Sequence, residues 1–367
     1  EYTYDGPPGP ADLFMHGVAS GDPLADAVIL WTHASVPDAT SVDVWWEVSL
    51  DAAFTKRVQV GWFQTDADID FTVKLDVTDL LPGRTYFYRF MALGVTSPVG
   101  RTRTAPVGAV DRLRFAFCSC SSYAHGYFHG YRRIAERTDL DAVIHLGDYI
   151  YEYANRSYGG VRTYDPPHEI ITLEDYRRRY RHYRKDADLR EAHRQHPFIV
   201  VWDDHESANN SWENGAENHT EGDEGRWVDR KAAAIQAYNE WLPIRTNIDN
   251  EGRIFRRIDF GDLVRLIMLD TRLWGRDAEP SRTDAAEQNS PDRTLLGTDQ
   301  ETWLFDELRG ATQQWKVLGQ QVMMANLAVG GGAAPTILNT DQWDGYAATR
   351  KRLYDTLEGN DIDDVVV

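Results

Sequence analysis

The sequence predicts an all-β N-terminal region of β-sandwich type joined to an α/β core. Three observations predict it. Residues 1–105 carry short runs of period-two hydrophobicity separated by turn residues. From about residue 111 onward, strand-like runs alternate with helical stretches. Finally, three successive core strands each end in groups of metal-ligand type, which packing alone does not explain.

In the N-terminal region, Ser41 to Val48, Val58 to Phe63, Phe71 to Val77 and Thr85 to Phe90 read as strands. Leu81-Pro82-Gly83-Arg84-Thr85-Tyr86 resembles the turn-into-strand of fibronectin type III sandwiches. No cluster of ligand types converges here, so the expected role of domain 1–105 is to dock against the core and shape one side of a site. Ala105 to Val110 reads as the linker, and residues 111–367 as the second domain.

The core opens with Leu113 to Cys120, an alternating strand that delivers a thiol. Next, Asp141 to Tyr151 is a buried-type strand running into Gly147-Asp148, with Tyr151 three positions on. Such an ending places a carboxylate at the carboxyl edge of a sheet, where open α/β folds bind ligands. Thr172-Leu173-Glu174-Asp175 reads as a helix start, after which Tyr176, Tyr180 and Tyr183 recur at the spacing of a packing face. The intervening Arg177, Arg178, Arg179 and Arg181 are expected to be solvated or paired to acids. Phe198 to Trp202 is a third strand, and it runs straight into Asp203-Asp204-His205-Glu206.

Two stretches, Asn155 to His168 and Asn209 to Gly225, read as loops that form a rim or lid, with disorder the competing reading for the second, acidic one. Val264 to Arg272 and Trp315 to Gln321 are later strands with polar ends. Asp270 and Arg272 are expected to pair with each other and to stay off the metal.

Composition narrows the function. A content of 42% hydrophobic and 26% charged residues is that of a globular chain. No apolar run approaches a membrane span, and no export signal stands at the start, so any such signal is expected to have been removed. The formal net charge of −19 argues against a nucleic-acid partner and against passive adsorption to anionic membranes. Cys118 and Cys120 are the sole cysteines, and alternate residues of one strand point in parallel, which disfavours a disulfide between them. Carboxylates suit hard cations, a thiolate with a phenolate suits ferric iron, and histidine suits either kind.

Gly147-Asp148-x-x-Tyr151 followed by Asp203-Asp204-His205-Glu206 resembles the purple-acid-phosphatase variant of the metallophosphoesterases. With Cys120 in front, and with Phe14 to Pro23 and Val28 to Thr32 at the start, nearly the whole chain is similar to the alkaline phosphatase D (PhoD-like) family. The resemblance implies a metallophosphoesterase α/β sandwich for the core. It places Cys120 and Tyr151 on a ferric iron, Asp148 between the metals, Asp204 on a second metal, calcium by preference, and Asn210 beside it as an amide ligand. Cys118 is left as a small buried residue. His205 is expected to contact phosphate or assist the leaving alkoxide.

The implied activity is phosphate-ester hydrolysis outside the cell. The leading form is a phosphodiesterase of phospholipase D type acting on phosphatidylcholine, with transient contact to a membrane surface. The alternatives are an alkaline phosphatase D acting on monoesters and diesters such as teichoic acids, and a non-catalytic, metal-stabilised binding protein. The family continues with a strand and Gly-Asp-x-His, whereas Asp361 to Val367 reads as the beginning of that strand. Either the chain is clipped there, with the remainder separate or absent, or it lacks a complete iron shell. The expectation is that a C-terminal fragment of the precursor stays associated, because an open sheet position would otherwise expose unpaired backbone groups.

Overall fold

Strand alternation assigns the layers of this molecule. Along Val264–Met268 every residue is buried, yet Val264, Leu266 and Met268 join the large central core while Ile267 joins a separate one. A strand that buries both faces lies between two layers, which is why it reads as a continuous apolar run. The computed structural model describes residues 2–36, 39–246, 252–329 and 336–367.

Two sheets face each other at the centre. The first has six strands in the order Thr72–Val77, Val28–His33, Val18–Gly21, Pro197–Val200, Ala142–His145 and Phe115–Cys118. The second runs Arg256–Phe260, Val264–Met268, Trp315–Gly319 and Val365–Val366. Phe115 and Phe260 meet edge to face across the gap, ring centroids 4.9 Å apart. Outside the first sheet lie His129–Ala135, Leu173–Tyr183, Ala187–Gln195 and Trp227–Trp241, whose tyrosines and alanines enter the central core. Outside the second lie Gly297–Arg309 and Ala347–Gly359, which bury Leu304, Leu308 and Leu353. The result is the expected α/β sandwich, helix layers enclosing two sheets. Val365–Val366 pairs in parallel with Trp315–Gly319, so the tail forms a strand as its sequence indicates.

The N-terminal β-sandwich is also present, with one feature its sequence does not announce. Its outer sheet is built on Ser41–Ser49, Arg57–Asp66 and Thr85–Ala92. Its inner sheet is continuous with the core sheet, because Val18–Gly21 pairs in parallel with Pro197–Val200. Val18, Val28, Leu30, Val73 and Val77 face the sandwich core, whereas Ala19 and Trp31 face the other way, into the central core. The fibronectin-like turn is real in geometry: the Tyr86 hydroxyl accepts from the Leu81 backbone N–H at 2.8 Å, a tyrosine corner.

Helix Leu173–Tyr183 begins as expected. Thr172 Oγ1 accepts from Asp175 N–H at 3.3 Å while the Asp175 carboxylate accepts from Thr172 N–H at 3.0 Å, a reciprocal cap. Tyr176, Tyr180 and Tyr183 are fully buried, and Arg177, Arg178 and Arg181 pair with Glu240, Asp165 and Asp70. Arg179 corrects the sequence reading. It lies on the tyrosine face of the helix, one residue before Tyr180, and its fully buried guanidinium donates to the carbonyls of Tyr151, Tyr153, Pro166 and His168. These carbonyls belong to the loop after Tyr151, so Arg179 is a clamp on that loop, not a surface cation.

Where the sandwich meets the core, His16 and His33 face each other with Nδ1 atoms 3.0 Å apart, and His33 stacks on Trp241 at 4.8 Å. Burial, then the charge of Arg181, pulls His33 down to about 3. A depressed histidine stabilises the fold above its ordinary value near 6.5 and withdraws that contribution as pH falls toward the folded-state value. The His33 contribution to the melting temperature should therefore be lost as pH falls from about 6.5 to 3, and in the metal-loaded protein His33→Gln should remove that contribution from the pH dependence seen in calorimetric scans. An unaltered slope in the variant would clear His33 of the effect.

Candidate metal centre

The three parallel strands Phe115–Cys118, Ala142–His145 and Pro197–Val200 end side by side, and their following loops carry Cys120, Asp148 and Asp204. Backbone hydrogen bonds strap the loops together: Cys120 N–H to Gly147 O at 3.2 Å and Ser121 N–H to Asp148 O at 2.8 Å. Cys120, Asp148 and Asn210 all hold positive φ, at 58°, 57° and 49°, a sparsely populated conformation that clusters at functional sites. Gly147 is required by contact as well as by φ. A Cβ there would lie 2.3 Å from the backbone nitrogen of Asp203, so its absence lets the two acidic loops approach.

Asp148, Asp204 and His205 offer ligand atoms that all lie within 4.8 Å of one another, and all three residues are buried. The Tyr151 hydroxyl donates to Asp148 Oδ2 at 2.9 Å. Asp148 Oδ1 is buried without a hydrogen-bond partner. Cys120 borders the same carboxylate: burial, then the charge of Asp148, pushes its thiol up to about 11. Cys118 points elsewhere, toward Ile144 O, and burial raises it to about 12. Both cysteines are free. Asn210 stands next to Asp204, whose carboxylate its backbone N–H reaches at 2.7 Å, while its amide nitrogen turns to Glu217 at 2.6 Å.

An orphaned carboxylate oxygen inside a ring of acids is what a cation site looks like before charge neutralisation. Burial, followed by the charges of Asp203 and Asp204, drives Asp148 well above the usual carboxylate range. Asp204 is held low against its own burial, chiefly by Arg272 and His205. The donor set of carboxylates, imidazole, phenol and thiol fits a multivalent metal pair.

Three residues that sequence reasoning left out of the site organise these groups. Glu152, fully buried, accepts from His205 Nδ1 at 2.7 Å and from Asn209 N–H at 2.7 Å. It thereby fixes the imidazole, which stacks on Tyr151 at 4.2 Å and leaves Nε2 for the site. Burial opposes a charge on His205, but Asp204 and Glu152 outweigh it and hold the ring protonated. Arg272 does not pair with the Asp270 side chain as expected. Its guanidinium bridges Asp203 at 2.5 Å and Asp341 at 2.7 Å, with Asp204 at 3.6 Å, while Asp270 accepts backbone N–H groups of Arg272 and Leu273.

Glu206 is the third. Its carboxylate accepts from Asp148 N–H at 3.0 Å, Asp203 N–H at 2.8 Å and Tyr149 N–H at 2.5 Å, so one side chain joins both acidic loops. Replacing it by glutamine puts an N–H where an acceptor is needed, since both oxygens are in use. Glu206→Gln should weaken metal binding by about 10- to 100-fold in calorimetric titration, and equal affinity in the variant would refute this.

The rim is aromatic and ordered. Tyr158, from the loop 155–168, stacks parallel to Tyr151 at 5.6 Å and lies 4.9 Å from Tyr153. The acidic stretch 209–225 folds as a hairpin, Ser211–Trp212 against Gly215–Ala216, and Asn218 reaches Glu152 at 2.9 Å. Disorder does not describe it.

The fold and site define a metallophosphoesterase-type protein: two facing sheets, with acids, histidine, tyrosine and cysteine gathered at strand ends. The comparisons agree, and the chain belongs to the PhoD-like phosphatase family, matching its model over residues 115–367 and the model of its N-terminal domain over 6–106. It is 41% identical to alkaline phosphatase D of Bacillus subtilis (strain 168) across 96% of this chain, and it spans 63% of that relative's length. It also superposes on a solved structure of PhoD with a TM-score of 0.92 and 38% identity, covering 98% of this chain and 72% of that one.

Proposed function

We propose that this chain forms a metal-dependent phosphate-ester hydrolase of alkaline phosphatase D type, acting on monoesters and diesters outside the cell. The observation that carries the reading is the convergence of Asp148, Asp204 and His205 within 4.8 Å, with Tyr151 and Cys120 against the same carboxylate. Cys120, Tyr151 and Asp148 are assigned to ferric iron, and Asp148, Asp204 and Asn210 to a divalent ion, calcium by preference. A bound metal pair supplies charge neutralisation of phosphate oxygens and acidifies the attacking water. Arg272 is already committed to three acids, so His205 is the side-chain cation left to meet the substrate. Held in place by Glu152, it can donate from Nε2 to a phosphate oxygen or to the departing alkoxide.

A second reading has its own support. Tyr151, Tyr153 and Tyr158 form an aromatic wall beside the acids Glu152 and Glu217, chemistry that suits a quaternary ammonium. This favours a phospholipase D type diesterase releasing choline from phosphatidylcholine, with brief contact to a lipid surface. Among the described residues no helix is long and apolar enough to cross a membrane.

Parallel assays of one metal-replete preparation on p-nitrophenyl phosphate and on phosphatidylcholine separate the readings. Dominant monoester cleavage supports the first and dominant choline release the second. Metal binding with no turnover on either would leave the binding-protein alternative.

A further inference from the structure

Arg184, at the C-terminal cap of helix Leu173–Tyr183, is fully buried, and among the described residues none of its three side-chain nitrogens meets an acceptor in good hydrogen-bond geometry, although the Tyr149 hydroxyl approaches it. An arginine cannot discharge itself by losing a proton, and an unpaired buried charge is severely destabilising. Its neighbours do not neutralise it. The guanidinium carbon lies over Trp31, 4.5 Å from the ring centroid. Arg190 adds positive charge nearby, and burial together with the surrounding cations, Arg184 among them, keeps the neighbouring His16 neutral. Asp186, two residues on, is already bound to Arg162 at 2.8 Å and caps the helix Ala187–Gln195.

What surrounds Arg184 is a set of further polar groups in the same condition. Ser20 Oγ and Tyr88 OH are fully buried and lie against each other with no further partner among the described residues, and His193 Nδ1 is likewise without one. Tyr88 senses both Ser20 and Arg184, and Tyr149 and His193 sense Arg184 as well. These side chains come from five elements: Ser20 from Val18–Gly21, Trp31 from Val28–His33, Tyr88 from the outer sandwich strand Thr85–Ala92, Arg184 from the end of Leu173–Tyr183 and His193 from Ala187–Gln195.

We propose that Arg184, with the hydroxyls of Ser20 and Tyr88, forms a buried site for a monovalent halide, chloride in the native protein. A small spherical anion accepts several donors at once and cancels the charge, whereas ordered water could take the hydrogen bonds but would leave the cation uncompensated. The site lies where the sandwich joins the core, so the ion fastens that junction. It also stands one hydrogen bond from the metal loop, since Tyr149, the residue after Asp148, meets His193 Nε2 through its hydroxyl at 2.9 Å. This inference does not depend on the substrate of the metal centre.

The test uses the intact protein exchanged into potassium methanesulfonate and then titrated with potassium chloride or bromide at constant ionic strength. The expected result is a saturable, halide-specific rise in melting temperature of at least about 3 °C. Crystals soaked in bromide should show an anomalous peak in contact with Arg184. Arg184→Met should abolish the halide dependence, and if that variant does not fold, the two wild-type measurements decide. Superimposable melting curves in the three salts, or water density without anomalous signal beside Arg184, overturns the proposal.

Discussion

Asp148→Asn is expected to abolish hydrolysis, by about 10^3-fold or more in kcat, while making the metal-free protein more stable. The two effects share one cause. Asp148 is a buried carboxylate whose Oδ1 has no protein partner and whose neighbours Asp203, Asp204 and Glu206 repel its charge. Asparagine keeps the volume and tolerates the positive φ of 57° found there, so the loop should hold its shape. It removes the charge that attracts a metal, and with it the repulsion that the metal-free fold has to bear. The checks are steady-state kinetics on p-nitrophenyl phosphate and thermal melting in chelator. A variant less stable than the parent in chelator would mean that Asp148 is held by contacts stronger than the repulsion identified here.

That trade between function and stability also explains what the sequence could and could not reveal. The strand ends were legible because a period-two apolar run that stops at Asp or Cys leaves a polar group at a sheet edge, and Phe198 to Glu206 does so without ambiguity. The tyrosine stripe was legible because helical spacing alone determines which face of Leu173–Tyr183 is buried. Arg179 was not, since an arginine between tyrosines carries no mark of the carbonyls it will meet, and those belong to a loop many residues away. Glu152 and Glu206 stood inside the motifs in plain view. Their roles depend on partners brought by other loops, His205 for one and the Asp148 and Asp203 backbone for the other. The shared sheet was hidden for the same reason, because the pairing of Val18–Gly21 with Pro197–Val200 spans most of two domains. Local pattern specifies elements, and long-range register decides which side chains they bring together.

Complete metal removal should lower the melting temperature, and the loss should grow with pH. At a free ion concentration a thousandfold above Kd, binding stabilises the fold by about 4 kcal/mol, or roughly 5 °C for a chain of this size. The pH dependence follows from the acids. Burial pushes Glu206 up to about 8 against the pull of its three N–H partners, and burial with the Asp204 charge raises Asp203 to about 6 despite Arg272. A carboxylate raised in the folded state binds a proton that the unfolded chain releases, so its contribution is complete below about pH 4 and is lost as pH climbs through the folded value. Without metal, stability should therefore decline between about pH 4 and 8. With metal, the cation takes over the neutralising role of the protons and the decline should be much shallower. Calorimetric scans at pH 5, 6, 7 and 8, with and without chelator, should show a gap in melting temperature that widens toward pH 8. A gap that is constant or narrows would mean that these acids do not carry the coupling between metal and fold, and would shift attention to the thiol and phenol of Cys120 and Tyr151.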